Sequence, residues 1–166
     1  MNPGELLTRG TIWVALVFYA FGEVFRLVAQ RFPRWETCAR WLWTIGCLAY
    51  LAHVAAAFQF HHAWSHAAAS ADTARQTGAK FGFNWGGGLW FNYFFTVIWL
   101  ADVLWWWISP RNFSRARIWV TSVRAFFLFM IFNATVVFPT GAVRWFGLVI
   151  CLSVTLAWWL LPSRKT

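Results

Sequence analysis

The sequence predicts an all-α integral membrane protein, folded as a single domain, a compact bundle of five transmembrane helices over residues 1–166. Hydrophobic residues make up 60% of the chain and charged residues only 11%, whereas about a quarter of a soluble domain is charged. The apolar residues fall into five runs, each near the roughly 20 residues that a helix needs to cross a bilayer. Aromatic residues reach 22%, and the 15 Trp favour the membrane–water interface.

The five spans are drawn, in chain order, at residues 11–30, 41–60, 89–109, 118–138 and 143–161. The first lacks the cleavage pattern of a secretory signal, so we interpret it as a retained helix. The glycine-rich run WGGG at 85–88 precedes the third span. Four prolines fall between or after spans, where a missing N–H does least harm: Pro33, Pro110, Pro139 and Pro162.

The distribution of Lys and Arg predicts how the bundle lies in the membrane, because cytoplasmic loops are enriched in these residues. One side carries eight of them: Arg31, Arg34, Arg40, Arg111, Arg115, Arg117, Arg164 and Lys165. The other side carries four: Arg9, Arg75, Lys80 and Arg144. We therefore expect the N-terminus outside and the C-terminus in the cytoplasm. The net charge of +9 reflects these loops, so no nucleic-acid partner is expected.

Three of the four histidines follow the second span, in the stretch FQFHHAWSHAAASADTARQTG at 58–78. This stretch is rich in helix formers, so the second helix is predicted to extend beyond the outer membrane surface. Residues 61–77 would then project by roughly 25 Å, or would bend and lie along the interface.

On such a helix, His62 and His66 share a face and could bind one metal ion, with His61 a further candidate. A structural metal site usually needs four ligands, so the others would come from Glu5, Asn84 or another subunit. The alternative is an interfacial role for amphipathic side chains.

His53 lies inside the second span, among the small side chains of AYLAHVAAA. The fragment A-x-x-A-H, formed by Ala49, Ala52 and His53, resembles the chlorophyll-ligating core of bacterial antenna polypeptides over about five residues. That resemblance implies a tetrapyrrole ligated by His53. The alternative is a histidine that is hydrogen-bonded to a neighbour at similar depth, such as Asn92 or Asn133.

Four further ionisable residues lie within the spans, at similar depth in the inner half of the bundle: Glu23, Arg26, Asp102 and Arg124. Two are positive and two are negative, so the layer is neutral. Glu23 and Arg26 are three residues apart and can pair, which makes Asp102 the expected partner of Arg124. Either the layer is a clasp that joins helices, or it is an ion or proton path or a counter-ion site.

The sequence contains no complete catalytic set, so the favoured function is that of a non-catalytic accessory or assembly subunit of a membrane complex. Membrane lipids and membrane-protein partners, or further copies of the chain, are the expected partners. A binder of metal or tetrapyrrole is the alternative, and a small carrier or channel that uses the charged layer is the third possibility. Because Arg outnumbers Lys by 12 to 2, a bacterial cytoplasmic membrane is the expected location.

Five spans, 166 residues and many tryptophans resemble the tryptophan-rich sensory (translocator) family in outline. The first loop reads RFPRWETCARW and lacks the W-x-P-P signature of that family. None of its binding residues is therefore carried over. The three cysteines, Cys38, Cys47 and Cys151, are too widely spaced to predict a disulfide framework or a CxxC site.

Overall fold

The structure, a computed structural model, describes residues 2–109 and 117–161, and those two ranges are helical and contain no strand. The elements are α1 (Pro3–Arg31), a short 3-10 turn (Pro33–Trp35), α2 (Glu36–His61), α3 (His66–Phe81), α4 (Gly88–Ile108), α5 (Arg117–Phe132), a π-helical segment (Asn133–Val137) and α6 (Ala142–Leu160). Several positions used for topology and for the span ends lie outside the described residues: Pro110, Arg111, Arg115, Pro162, Arg164 and Lys165.

Five helical stretches are long and apolar enough to cross a membrane: Pro3–Arg31, Pro33–His61, Gly88–Ile108, Ile118–Val137 and Ala142–Leu160. The prediction of five apolar spans is confirmed as far as the number, length and hydrophobicity of the helices are concerned. The first helix begins at Pro3 and not at residue 11. Its start has the expected local signals, since the Asn2 side chain accepts from the Gly4 N–H and a proline occupies the first turn.

The prediction of a continuous second helix through residues 61–77 is wrong. α2 ends at His61, and Ala63 and Trp64 adopt left-handed backbone angles, with φ values of 47° and 58°. Ser65 then caps α3 by accepting from the Ala68 N–H. The turn allows α3 to pack against α4, and this tertiary contact outweighs the weak local preference for helix.

The five long helices form a ring in the order α1, α2, α4, α5, α6, because each packs against the next and α6 packs against α1. Glycines allow close approach within it. A Cβ on Gly22 would lie 3.1 Å from the Trp43 ring, and one on Gly46 would lie 3.1 Å from the Trp99 ring. Gly147 of α6 packs so closely on Thr135 that a Cβ there would clash.

Aromatic side chains fill the centre of the ring. Tyr19, Trp43, Trp99 and Phe127, from four different helices, are among the largest fully buried side chains. Their rings lie in mutual contact, with centroids 5.3 Å apart for Trp43 and Trp99 and 5.7 Å apart for Trp43 and Phe127. The indole N–H groups of Trp43 and Trp99 meet no hydrogen-bond acceptor within residues 2–109 and 117–161, so these side chains contribute through packing.

Candidate functional site: a charged cluster inside the bundle

The structure brings together the four ionisable side chains that the sequence places at one depth: Glu23, Arg26, Asp102 and Arg124. They belong to α1, α4 and α5. Glu23, Arg26 and Asp102 are almost completely buried, at 2%, 7% and 4% exposure. Arg124 is slightly more open, with 15% of its side chain exposed. Charges buried to this degree persist only when they are paired.

The pairing differs from the one that the sequence suggests. Arg26 Nη1 lies 3.1 Å from Asp102 Oδ2 and 3.9 Å from Glu23 Oε1. Arg124 Nε lies 3.1 Å from Glu23 Oε2. In the part of the chain that the structure describes, no ion pair joins Asp102 to Arg124, so that expected pair is wrong. The rotation of α4 and α5 about their own axes decides the partners, and the sequence does not specify it.

Aromatic side chains complete the cluster. The Arg26 guanidinium lies 5.2 Å from the centroid of the Trp43 ring and 4.8 Å from that of Trp106. From α6, Trp158 donates its indole N–H to Glu23 Oε2 at 3.1 Å. Arg124 also lies over the Trp158 ring, at 5.8 Å. All five ring helices therefore contribute to one site, and cation–π contacts add to its ion pairs.

The sequence does not predict that these tryptophans contact the buried charges, although it contains one indication of it. The indication concerns Trp158, because an indole N–H within an apolar span needs an acceptor, and a buried carboxylate is the strongest acceptor that a span offers. From the sequence, Trp43 and Trp106 are expected at the interface, where tryptophan is most common, and no role is predicted for Trp158.

The cluster is not fully hydrogen-bonded. Arg124 Nε and Nη2 meet no acceptor with hydrogen-bond geometry among the residues described, so the 3.1 Å contact with Glu23 is an ion pair and not an aligned hydrogen bond. A cavity of about 10 Å³ lies beside the cluster, bounded by Val120, Val123 and Phe127. This volume is enough for about one water molecule.

A second cavity, of about 60 Å³, lies nearer the start of α1 than the charged cluster does, with Tyr19, Tyr50, Trp99 and Met130 among its lining residues. Tyr19 and Trp99 contact the Trp43 and Phe127 rings. Trp43 and Phe127 in turn line the small cavity beside the charges. Packed aromatic rings therefore occupy the centre of the bundle between the two cavities.

His53 lies at the contact between α1 and α2, where its Nδ1 donates to the Thr8 carbonyl oxygen at 2.9 Å. Neither Asn92 nor Asn133 is its partner. Ala56, which belongs to the small-residue stretch around His53, is only 4% exposed. One turn further along α2, Phe60 meets Gly4 of α1. Small side chains at such a position let two helices approach closely, and the described contacts of His53 are those of a histidine at a helix–helix contact.

The structure separates the other histidines. His66 begins α3, after the turn that ends α2, and its Nδ1 lies 3.0 Å from the Tyr93 hydroxyl. His61 and His62 line a surface crevice of about 480 Å³. The carboxylate of Asp72, which also lines it, is engaged by Arg75 at 2.7 Å.

His62 and His66 were predicted to share one face of a continuous helix, and that prediction is wrong, because α2 ends at His61 and α3 begins at His66. Within residues 2–109 and 117–161, no group of three or more histidine, cysteine, aspartate or glutamate side chains is arranged to hold a metal ion. The cysteines Cys38, Cys47 and Cys151 are free thiols.

The fold and the charged cluster define a helical protein with five helices long and apolar enough to span a membrane. Comparison with protein-family models, with curated proteins and with solved structures gives no match. Any proposal about function therefore depends on the geometry of this chain.

Proposed function

We propose that this protein is a non-catalytic accessory or assembly subunit of a membrane complex. The observation that carries the proposal is the internal pairing of the charged cluster. Two arginines and two carboxylates neutralise one another, and each ring helix supplies a charge or an aromatic contact to the group. Such an arrangement fixes which helices are neighbours, and it leaves no carboxylate without a cationic partner for proton transfer.

The packing of the ring supports the same proposal over a carrier or channel. A conducting path needs a polar, hydrated route. Here the centre is occupied by Tyr19, Trp43, Trp99 and Phe127, and the adjoining cavity beside the charges holds about one water. The second candidate, a small carrier, would require these packed rings to separate during transport.

The outer surface of the ring offers the area that a partner would cover. Large apolar side chains point outward on several helices, including Trp159 at 77% exposure and Ile108 at 79%. Lipid tails and apolar faces of other membrane proteins are the two environments that accept such surfaces. A subunit of a complex would place some of these side chains against a partner helix.

The location and orientation belong to the proposal as well. We place the protein in the bacterial cytoplasmic membrane, with the N-terminus and α3 outside and the α1–α2 connection inside, because cytoplasmic connections carry most Lys and Arg. Single cysteines in a variant without Cys38, Cys47 and Cys151 test this orientation. A cysteine in the α1–α2 connection should resist an impermeant thiol reagent in intact cells, and one in α3 should react.

The decisive experiment is purification of the tagged chain from native membranes in a mild detergent. Stoichiometric partner polypeptides are expected in the eluate. If the chain is obtained alone at its own mass, the accessory role is excluded.

An assay of ion and proton flux into proteoliposomes distinguishes a carrier from an accessory subunit. No flux above that of empty vesicles is expected. Flux that falls on Asp102→Asn substitution, in a variant that keeps its helical circular dichroism, would establish the carrier instead. An Asp102→Asn variant that merely unfolds agrees with a structural clasp.

A further inference from the structure

The connection between α1 and α2 carries two arginines that have no carboxylate partner among residues 2–109 and 117–161. Arg31 ends α1, and Arg34 lies in the 3-10 turn that follows; both are exposed. No carboxylate in the described part of the chain lies within ion-pair distance of either. The nearest acid in the sequence, Glu36, is within 3.5 Å of Arg40 instead. The connection from residue 31 to residue 40 therefore has three positive charges and one negative charge.

Aromatic side chains flank these arginines. The Arg34 guanidinium lies 5.9 Å from the ring centroids of both Phe32 and Trp35. Phe32 is 51% exposed, whereas Trp35 is held against α1 by an edge contact with Phe25 at 5.4 Å. A cation between two partly exposed aromatic rings, at the end of two apolar helices, has the composition of a membrane–water interface.

Within the described part of the chain, the neighbouring groups do not compensate this positive charge. The end of α4 faces the first turns of α2. Trp107 of α4 donates to the Thr44 hydroxyl of α2 at 3.0 Å, and the Trp107 ring lies 5.0 Å from the Arg40 guanidinium. These residues add an aromatic surface and no acid. Arg40 is thus engaged by an ion pair with Glu36 and a cation–π contact with Trp107. The guanidinium donors of Arg31 and Arg34 are available to a bound ligand.

We propose that Arg31 and Arg34 form a binding site for the headgroup phosphate of an anionic phospholipid. Guanidinium groups bind phosphate oxygens through paired N–H donors. The charge of the connection matches a net negative headgroup, and the acyl chains of the same lipid cover Phe32 and the apolar ends of α1 and α2. Free inorganic phosphate would satisfy the arginines but would leave those rings in contact with water, so a lipid is the better fit.

The test compares phosphatidylglycerol with phosphatidylcholine of the same acyl chains, added to the detergent-purified chain and counted as bound lipid by native mass spectrometry. Because each basic residue near an anionic surface contributes about 1 kcal/mol, each arginine should contribute about a five-fold preference for the anionic lipid. The Arg31→Gln/Arg34→Gln variant should therefore lose about 25-fold of that preference, and Arg34→Gln alone about five-fold.

Two further variants make the test specific. Arg75→Gln removes an exposed arginine of α3 that is paired with Asp72, and the lipid preference should not change. Arg31→Lys/Arg34→Lys keeps the charge but removes the paired N–H donors of the guanidinium groups, so its preference should lie between those of the original chain and of the double glutamine variant. The proposal is overturned if the glutamine variants bind phosphatidylglycerol as the original chain does, or if Arg75→Gln has an equal effect. It also fails if millimolar inorganic phosphate displaces the lipid. None of these outcomes depends on whether a protein partner is found.

Discussion

Replacement of Glu23 by glutamine tests whether the charged cluster holds the bundle together. Glu23 contacts both arginines of the cluster, Arg26 of its own helix and Arg124 of α5, and it also accepts from Trp158 of α6. Glutamine keeps the size of the side chain and an oxygen that can accept from the Trp158 indole. The substitution therefore removes a charge with little change in packing. Arg26 keeps its contact with the Asp102 carboxylate, and Arg124 loses the carboxylate that it faces.

The distances set the magnitude. At 3.1 Å and an effective dielectric constant of about 20, the attraction between Glu23 and Arg124 is about 5 kcal/mol, and the 3.9 Å contact with Arg26 adds about 4 kcal/mol. Desolvation of the ions offsets most of this attraction. Loss of one partner of a buried pair typically costs about 3–5 kcal/mol, because the other charge stays buried and unpaired. We expect the lower end, about 3 kcal/mol, since one carboxylate and the aromatic rings remain.

The measurement is the free energy of unfolding in detergent micelles, from circular dichroism during titration with a denaturing detergent. Glu23→Gln/Arg124→Gln removes one charge of each sign, so it should be more stable than Glu23→Gln alone by about 2 kcal/mol. Glu36→Gln is the matched control, because its ion pair with Arg40, at 3.5 Å, is 40% exposed on the Glu36 side, and it should cost less than about 1 kcal/mol. Equal costs for Glu23→Gln and Glu36→Gln, or a double variant no more stable than the single one, would refute the electrostatic clasp.

Two further predictions concern the backbone and use the same unfolding assay. Ala63→Gly should raise the free energy of unfolding by about 1 kcal/mol, because a left-handed φ of 47° is strained for alanine; Ala71→Gly, in the exposed part of α3, should lower it by about 1 kcal/mol. If both variants lose stability equally, the turn is not strained. Gly147→Ala should lower the free energy of unfolding by about 1–3 kcal/mol through the clash with Thr135, whereas Gly10→Ala, which has open space around it, should raise it by up to about 1 kcal/mol. A stable Gly147→Ala variant would mean that α6 can move away from the π-helical segment.

The hydrophobic composition, together with the prolines and glycines between the apolar runs, determines most of the fold of this protein. Long apolar runs separated by prolines and glycines can form only helices in a bilayer, since each helix satisfies its own backbone hydrogen bonds. Five such helices are present. The depth of the charged residues also follows from counting along each span, and the structure places Glu23, Arg26, Asp102 and Arg124 side by side.

The histidine stretch illustrates what local sequence cannot specify. Residues 61–77 consist largely of helix formers, yet the chain turns at Ala63 and Trp64. The turn depends on a contact distant in sequence, the packing of α3 against α4, where a Cβ on Gly88 would lie 3.0 Å from Thr73. Helix propensity differs by only tenths of a kcal/mol among ordinary residues, so one such contact is enough to override it.

The sequence alone determined that the fold is all-α, the number of long apolar helices and the common depth of the buried charges, because these depend on length, hydrophobicity and spacing along the chain. Only the tertiary structure decided that Arg26 pairs with Asp102, that Arg124 pairs with Glu23, and that Trp158 donates to the same carboxylate. Those contacts depend on how each helix is rotated and on which helices are neighbours in the ring. Rotation and order arise from the packing of all the side chains together, so no single span contains them.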